Sequence, residues 1–208
     1  MSMKVYSRRK TMMQDFPPVG YKWADYIEND STAYIDTEVN IKERVTANIK
    51  MMAAHKSSGN KVIYGLYQNN TISCQVYINS STKFVVSPNT RVVGATNGES
   101  FVLNKVYDLS ISNINAVNSN LTLFLFARNN ANNLNFNGMR IYSCVMKKGG
   151  EIIRNYRPAY RISDGKYGLY DVIGKQFYIS PNGVNFVGGG KYLSINNLCR
   201  IFGERRAA

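Results

Sequence analysis

Short runs of alternating apolar and polar residues, separated by turn-forming residues, recur along most of this chain. RIYSCVM sets Ile141, Ser143 and Val145 against Tyr142, Cys144 and Met146, a period of two that predicts a strand. The whole stretch from Gly138 to Gly188 repeats this design. Lys147-Lys148-Gly149-Gly150 turns the chain, and EIIRNYRP runs back and is expected to end at Pro158. Ser163-Asp164-Gly165 precedes the strand YGLYDV, Ile173-Gly174-Lys175 precedes QFYIS, and Asn182-Gly183 makes a fourth turn. Asn-Gly and Asp-Gly supply the positive φ that tight hairpins need.

Upstream, YKWADYIENDSTAYIDTEV reads as two strands around a turn at Asn29-Asp30-Ser31. VTANIKMMA predicts a strand ending near the turn from His55 to Asn60, and KVIYGLYQNN with TISCQVYINS predicts a hairpin around Asn69-Asn70. TKFVVS, ESFVLNKVYDLSIS and NLTLFLFARNN continue the pattern, with Phe101, Leu103, Lys105 and Tyr107 facing one way. LTLFLFA is apolar on both faces and predicts a central strand buried between layers. Asn129 to Asn137 reads as a loop, and Gly188-Gly189-Gly190 as a hinge leading out of the domain.

Many short strands with no helical period predict an all-β fold, a two-sheet antiparallel jelly-roll sandwich over residues 21–190. Tyr34, Ile35, Phe124, Phe126, Ile141, Leu169 and Phe177 are expected to be at least partly buried in it. Residues 1–20 form an N-terminal basic arm ending at Phe16-Pro17-Pro18, and residues 191–208 a C-terminal basic extension.

Charge sharpens this division. The net charge of +13 is unevenly spread, with +6 of it on the two short tails. Lys4, Arg8, Arg9 and Lys10 stand against Asp15 at one end, and Lys191, Arg200, Arg205 and Arg206 against Glu204 at the other. Such tails suit docking to an acidic protein surface or contact with nucleic acid. The sandwich lacks the interleaved aromatic and basic residues of RNA-binding motifs, so nucleic acid is not an expected partner. No apolar run is long enough to span a membrane. The basic start lacks an apolar core and cleavage site, so no secretory signal is expected. Cys74, Cys144 and Cys199 lie far apart and read as reduced, structural thiols.

The order of these pieces resembles the LamG-like jelly-roll domains of the concanavalin A-like lectin/glucanase superfamily, of the kind found in gut bacteria and their bacteriophages. Tyr26 to Thr37, YIENDSTAYIDT, is similar to the "YI-E-S-x-x-T-Q-YIDT" opening of that family, with Ala33 where glutamine is frequent. Ile141-Tyr142-Ser143, Arg157-Pro158, Gly168 to Asp171 (GLYD) and the aromatic-glycine tail from Phe177 to Gly188 follow in family order, covering roughly residues 21–190. The resemblance implies a concanavalin A-like sandwich. It also implies a non-enzymatic virion component, such as a head-decoration, auxiliary capsid, fibre or tail-associated protein, assembled in a host cytoplasm. Its expected partners are other virion proteins or further copies of itself. The alternative is a lectin-like module that recognises cell-surface glycans.

Candidate chemistry is sparse. Asp36 and Glu38 would share a strand face and are the one carboxylate pair placed for glycoside hydrolysis, but Asp36 belongs to the YIDT signature of non-catalytic members. They are expected to serve local hydrogen bonds. No nucleophile elbow, phosphate-binding glycine motif or clustered metal ligands appear, so no catalytic residue, metal or cofactor is expected. The lone His55 sits in a turn, and no Asp-x-Asp-x-Asp calcium loop exists. The expected docking residues are Lys4, Arg8, Arg9, Lys10, Phe16, Arg200, Phe202, Arg205 and Arg206. For a glycan, Tyr21 and Trp23 would offer rings and Asn132 and Asn133 would offer amides.

Overall fold

The longest alternating run builds the centre of the fold. In the computed structural model, which describes residues 16–29, 32–53, 60–69, 72–130, 135–136 and 139–189, β13 (Met139–Lys148) and β14 (Glu151–Arg161) form a hairpin closed by the Lys148–Glu151 pair. Gly149 and Gly150 lie between them at φ +57° and +92°, values that disfavour any other residue and fix a two-residue turn.

Beyond β14 come β15 (Lys166–Asp171) and β16 (Gln176–Tyr178); beyond β13 come β4 (Val45–Met52), β9 (Tyr107–Asn113) and β8 (Thr90–Val93). Where β13 and β14 diverge, β1 (Tyr21–Trp23) pairs with β14, and β2 (Tyr26–Asn29) pairs with β13. β17 (Val187–Gly189) then pairs with β2. The second sheet runs β3 (Ile35–Asp36), β10 (Phe124–Leu125), β5 (Lys61–Tyr67), β6 (Ser73–Ile78), β7 (Phe84–Val86). β11 (Ala127–Arg128) and β12 (Asn135–Phe136) form a small separate hairpin. The described residues contain no helix, and the chain is an all-β, two-sheet antiparallel sandwich, jelly-roll-like in architecture.

The core lies between the sheets. The large sheet contributes Ala47, Ile49, Met51, Leu109, Ile111, Ile141, Cys144, Met146 and Leus such as Leu169; the small sheet contributes Ile35, Tyr64, Leu66, Cys74, Val76, Ile78 and Leu125. Burying each large apolar side chain here stabilises the fold by about 1.5–3 kcal/mol. Ile35, Phe124, Phe126, Ile141 and Leu169 are buried as expected, and Tyr34 and Phe177 are partly buried.

Local details depart from the sequence pattern for specific reasons. A bulge in β13 between Ile141 and Ser143 resets its alternation, so Met139 and Ile141 point inward before it and Cys144 and Met146 after it. Ser143 and Val145 therefore do not share the inward face of Ile141. β14 continues through Pro158 to Arg161. Pro158 faces the gap between β13 and β1, where its carbonyl accepts the Ala24 N–H at 3.0 Å and no ladder bond requires a proline N–H. Gly188 and Gly189 are ladder residues of β17 rather than a hinge. A Cβ on them would lie 2.2 Å from the Tyr167 ring and 2.4 Å from the Tyr26 hydroxyl oxygen, so glycine here answers close packing. Gly190 lies outside the described residues. β2 and β3 belong to different sheets, so YIEN and YID cross between layers and do not form a hairpin. Residues 101–106 form no strand, although Phe101 still stacks on Tyr107 at 5.0 Å. The LTLFLFA segment reaches an interior position of the small sheet for only two residues, because the chain turns at Phe126, φ +67°.

Candidate binding groove

The turn at Phe126 assembles a concave polar surface on the small sheet. Phe126 sends its ring into the core against Phe186, and its N–H donates to the Ile63 carbonyl at 3.1 Å. The chain then doubles back along β5. Asn129 N–H donates to the Gly65 carbonyl at 3.1 Å, and its carbonyl accepts the Tyr67 N–H at 2.8 Å. These two bonds hold the intervening Arg128 beside Tyr67, with its guanidinium carbon 4.9 Å from the ring centroid.

β6 supplies the floor. Cys74, Val76 and Ile78 enter the core, so Ser73, Gln75 and Tyr77 point to the outer face. Their cross-strand neighbours are Tyr67, Gly65 and Val62. Gly65 adds no side chain, and a Cβ there would lie 2.5 Å from both the Cys74 carbonyl oxygen and Gln75 Cβ. The loop entering β8 forms the opposite wall. Gln75 N–H donates to Ser87 Oγ at 3.0 Å and Thr90 Oγ1 at 3.1 Å, while the Gln75 carbonyl accepts the Ser87 N–H at 3.1 Å.

The result is a groove of about 340 Å³ lined by Tyr67, Ser73, Gln75, Tyr77, Ser87 and Arg128, among others. Arg128 Nη1 donates to Gln75 Oε1 at 3.4 Å. Arg128 Nε and Ser73 Oγ are buried and have no hydrogen-bond partner among the described residues, and no carboxylate is among the described residues that line the groove. A second depression, also about 340 Å³, adjoins the same strand end and is rich in amides and hydroxyls: Gln68, Asn118, Ser119, Asn120 and Asn130. Arg128 of β11 lines the first and Asn130, two residues on, lines the second. Asn132 and Asn133 themselves lie outside the described residues.

The carboxylate pair singled out in the sequence has a different setting. Glu38 lies beyond β3 at φ +60°, so Asp36 and Glu38 do not share a strand face. Asp36 Oδ1 accepts the Glu38 N–H at 2.8 Å, closing a local turn. Glu38 Oε2 accepts the Tyr178 hydroxyl at 3.1 Å and lies 3.8 Å from Arg154 Nη2. On the other side of Arg154, Nε is 3.7 Å from Oδ2 of the fully buried Asp171. Asp171 Oδ1 accepts the N–H groups of Asn155 at 2.8 Å and Ile173 at 3.1 Å, which ties β14 to the turn after β15. Burial pushes the Tyr156 and Tyr178 phenols beside this cluster upward, keeping them protonated donors.

Trp23 does not present a stacking platform. It is 6% exposed and packs with Ala159 and Tyr170 on the outer face of the large sheet, with the Arg157 guanidinium 4.3 Å from its ring centroid. Tyr21 packs edge-on against Tyr170 and tilts against Phe177 in the same cluster. Neither is near the groove, which faces away from the opposite sheet. Phe16 is 47% exposed. Lys4, Arg8, Arg9, Lys10, Arg200, Phe202, Arg205 and Arg206 lie outside the described residues, as does His55. Cys74 and Cys144 are buried free thiols, and burial pushes Cys74 up to about 12 and Cys144 higher still.

Sequence reasoning missed Tyr67, Gln75, Tyr77 and Arg128. The polar face of TISCQVYINS carries a signal for two of them, because Gln75 and Tyr77 alternate with Cys74, Val76 and Ile78. In comparisons with known proteins, no family model, curated protein or solved structure matches the chain.

Proposed function

We propose that this chain is a non-enzymatic interaction module, of the kind found among virion components, that docks on a protein lattice through its basic arms. The resemblance to LamG-like phage domains motivates this reading. One geometric observation carries it: the last described residue lies against the turn between the first two strands. β1 begins at Tyr21, β17 ends at Gly189, and Asp25 N–H donates to the Gly189 carbonyl at 2.9 Å. Residues 1–20 and 191–208, each with three net positive charges, flank β1 and β17, both strands of the large sheet. Two cationic tethers on one sandwich can engage one acidic surface together, which raises their effective concentration for each other.

The test is truncation. Proteins lacking residues 1–15, residues 191–208 or both should unfold thermally as the full chain does, yet lose co-sedimentation with the particles that incorporate the full chain. Undiminished incorporation of the double truncation would assign docking to a sandwich face. Absence of the full-length chain from purified particles would remove the virion reading.

The groove favours a second reading that is compatible with the first. The outer face of the small sheet carries tyrosines, amides and hydroxyls that suit a saccharide. Glycan binding that weakens on Tyr77→Ala would support this reading.

A further inference from the structure

We propose that the groove takes a saccharide bearing a carboxylate, with Arg128 binding that carboxylate and Tyr67 and Tyr77 flanking the sugar rings. This rests on the reading of the groove as a glycan site and names the class of glycan.

The argument begins with what the groove leaves unsatisfied. Buried polar groups are nearly always paired, and an unpaired donor on a charged group is the costliest exception. Two such atoms, Arg128 Nε and Ser73 Oγ, occur together among the lining residues. Ser73 is 1% exposed. Nearby groups do not offer a remedy. Gln75 Oε1 already accepts from Arg128 Nη1, and the remaining lining residues carry no negative charge. A guanidinium is planar, remains charged at any physiological pH and matches a carboxylate in a two-point geometry. Both atoms are buried, so a small shift of the two side chains toward the groove would bring Nε–H to an incoming carboxylate oxygen and Ser73 Oγ to a sugar hydroxyl beside it.

The rest of the groove selects a sugar over other anions. A nucleic acid strand brings a phosphate at every nucleotide and is held by several cations, whereas Arg128 is the only cation among these lining residues. One charge fits one carboxylate. The remaining surface is two tyrosines, the Gln75 amide and the Ser73 and Ser87 hydroxyls beside Val85, Val86 and Pro88, a mixture that reads sugar faces and hydroxyls. The volume lies at the low end of small-molecule sites, ~300–1,000 Å³, suiting one or two rings of a longer glycan.

The experiment measures binding of the full-length protein to immobilised sialyllactose and trigalacturonate, with lactose and neutral galactobiose as uncharged counterparts and a short single-stranded DNA as a polyanion control. At least one acidic sugar should bind about tenfold or more tightly than its neutral counterpart, the scale of one charge-assisted pair. Arg128→Gln should abolish that preference. Arg128→Lys should restore only part of it, and Tyr77→Ala should weaken acidic and neutral sugars alike. Thermal unfolding of each variant checks that it folds; if Arg128→Gln does not, Arg128→Lys and Tyr77→Ala carry the test. Equal binding of acidic and neutral sugars, or an acidic preference untouched at Arg128, overturns the carboxylate assignment and leaves the glycan reading standing. DNA bound as tightly as the acidic sugar, with the same dependence on Arg128, also overturns it. No binding to any sugar by the folded protein removes both readings.

Discussion

Replacing Asp171 with alanine should be among the most destabilising single changes outside the apolar core. The carboxylate is fully buried and accepts two backbone N–H groups through one oxygen. The Asn155 N–H lies in the interior of β14, and losing a charged acceptor there costs about 1.5–3 kcal/mol. Ile173 is exposed, so its N–H regains water and its loss is smaller, roughly 0.5–1 kcal/mol. Arg154 loses one of its two carboxylates, but its side chain is 24% exposed and Glu38 remains 3.8 Å away, so this adds only about 1 kcal/mol. Against these stands relief from burying Asp171 Oδ2, which has no hydrogen-bond partner. The net expectation is a loss of about 2–4 kcal/mol, or roughly 4–16 °C in Tm for a chain of this size. Urea unfolding followed by circular dichroism measures it. The double variant Asp171→Ala/Arg154→Met should lose less than the sum of the singles by about 1 kcal/mol, because the shared interaction is counted once. A loss below 1 kcal/mol for Asp171→Ala, or strict additivity in the cycle, would refute this account of the cluster.

Alkaline pH should destabilise the fold. Burial raises Cys74 from 9.0 to about 12 and raises Cys144, Tyr64 and Tyr156 as well, so above pH 9 the unfolded chain releases protons that the native state retains. The stabilisation is complete below pH 9 and falls by about 1.4 kcal/mol per pH unit above pH 9 for each thiol and above pH 10 for each phenol, until the folded pKa is reached; unfolding free energies that stay flat from pH 8 to 11 would contradict it. Trp23, the single tryptophan, should emit as a buried indole, resist acrylamide quenching, and keep its emission unchanged when a sugar fills the groove on the other sheet. A sugar-induced shift in its emission would return the glycan site to the Tyr21–Trp23 region.

What the sequence displayed most clearly was chemistry decided over a few residues. Gly149-Gly150, Asp164-Gly165 and Asn182-Gly183 announced turns because only a few residue types tolerate positive φ, and Gly149, Gly150, Gly165 and Gly183 all adopt it. Features decided by distant partners were hidden. The β13 bulge answers β4, some ninety residues away in sequence, and no local pattern marks it. Gly188 reads as a hinge until Tyr167 is seen packed against it. The groove belongs to this second class. Its floor alternates visibly in TISCQVYINS, but Arg128 arrives through Phe126, a bulky residue at φ +67°, where an L-residue costs roughly 1–2 kcal/mol. The fold sustains that conformation by sinking the Phe126 ring into the core against Phe186 and bonding Asn129 to both Gly65 and Tyr67. A straight continuation of β10 would carry Arg128 past β5 and leave the floor of β6 without a cation. The strained residue and the guanidinium held over β6 are thus two consequences of one turn, and strain of this kind collects where a fold positions groups for use.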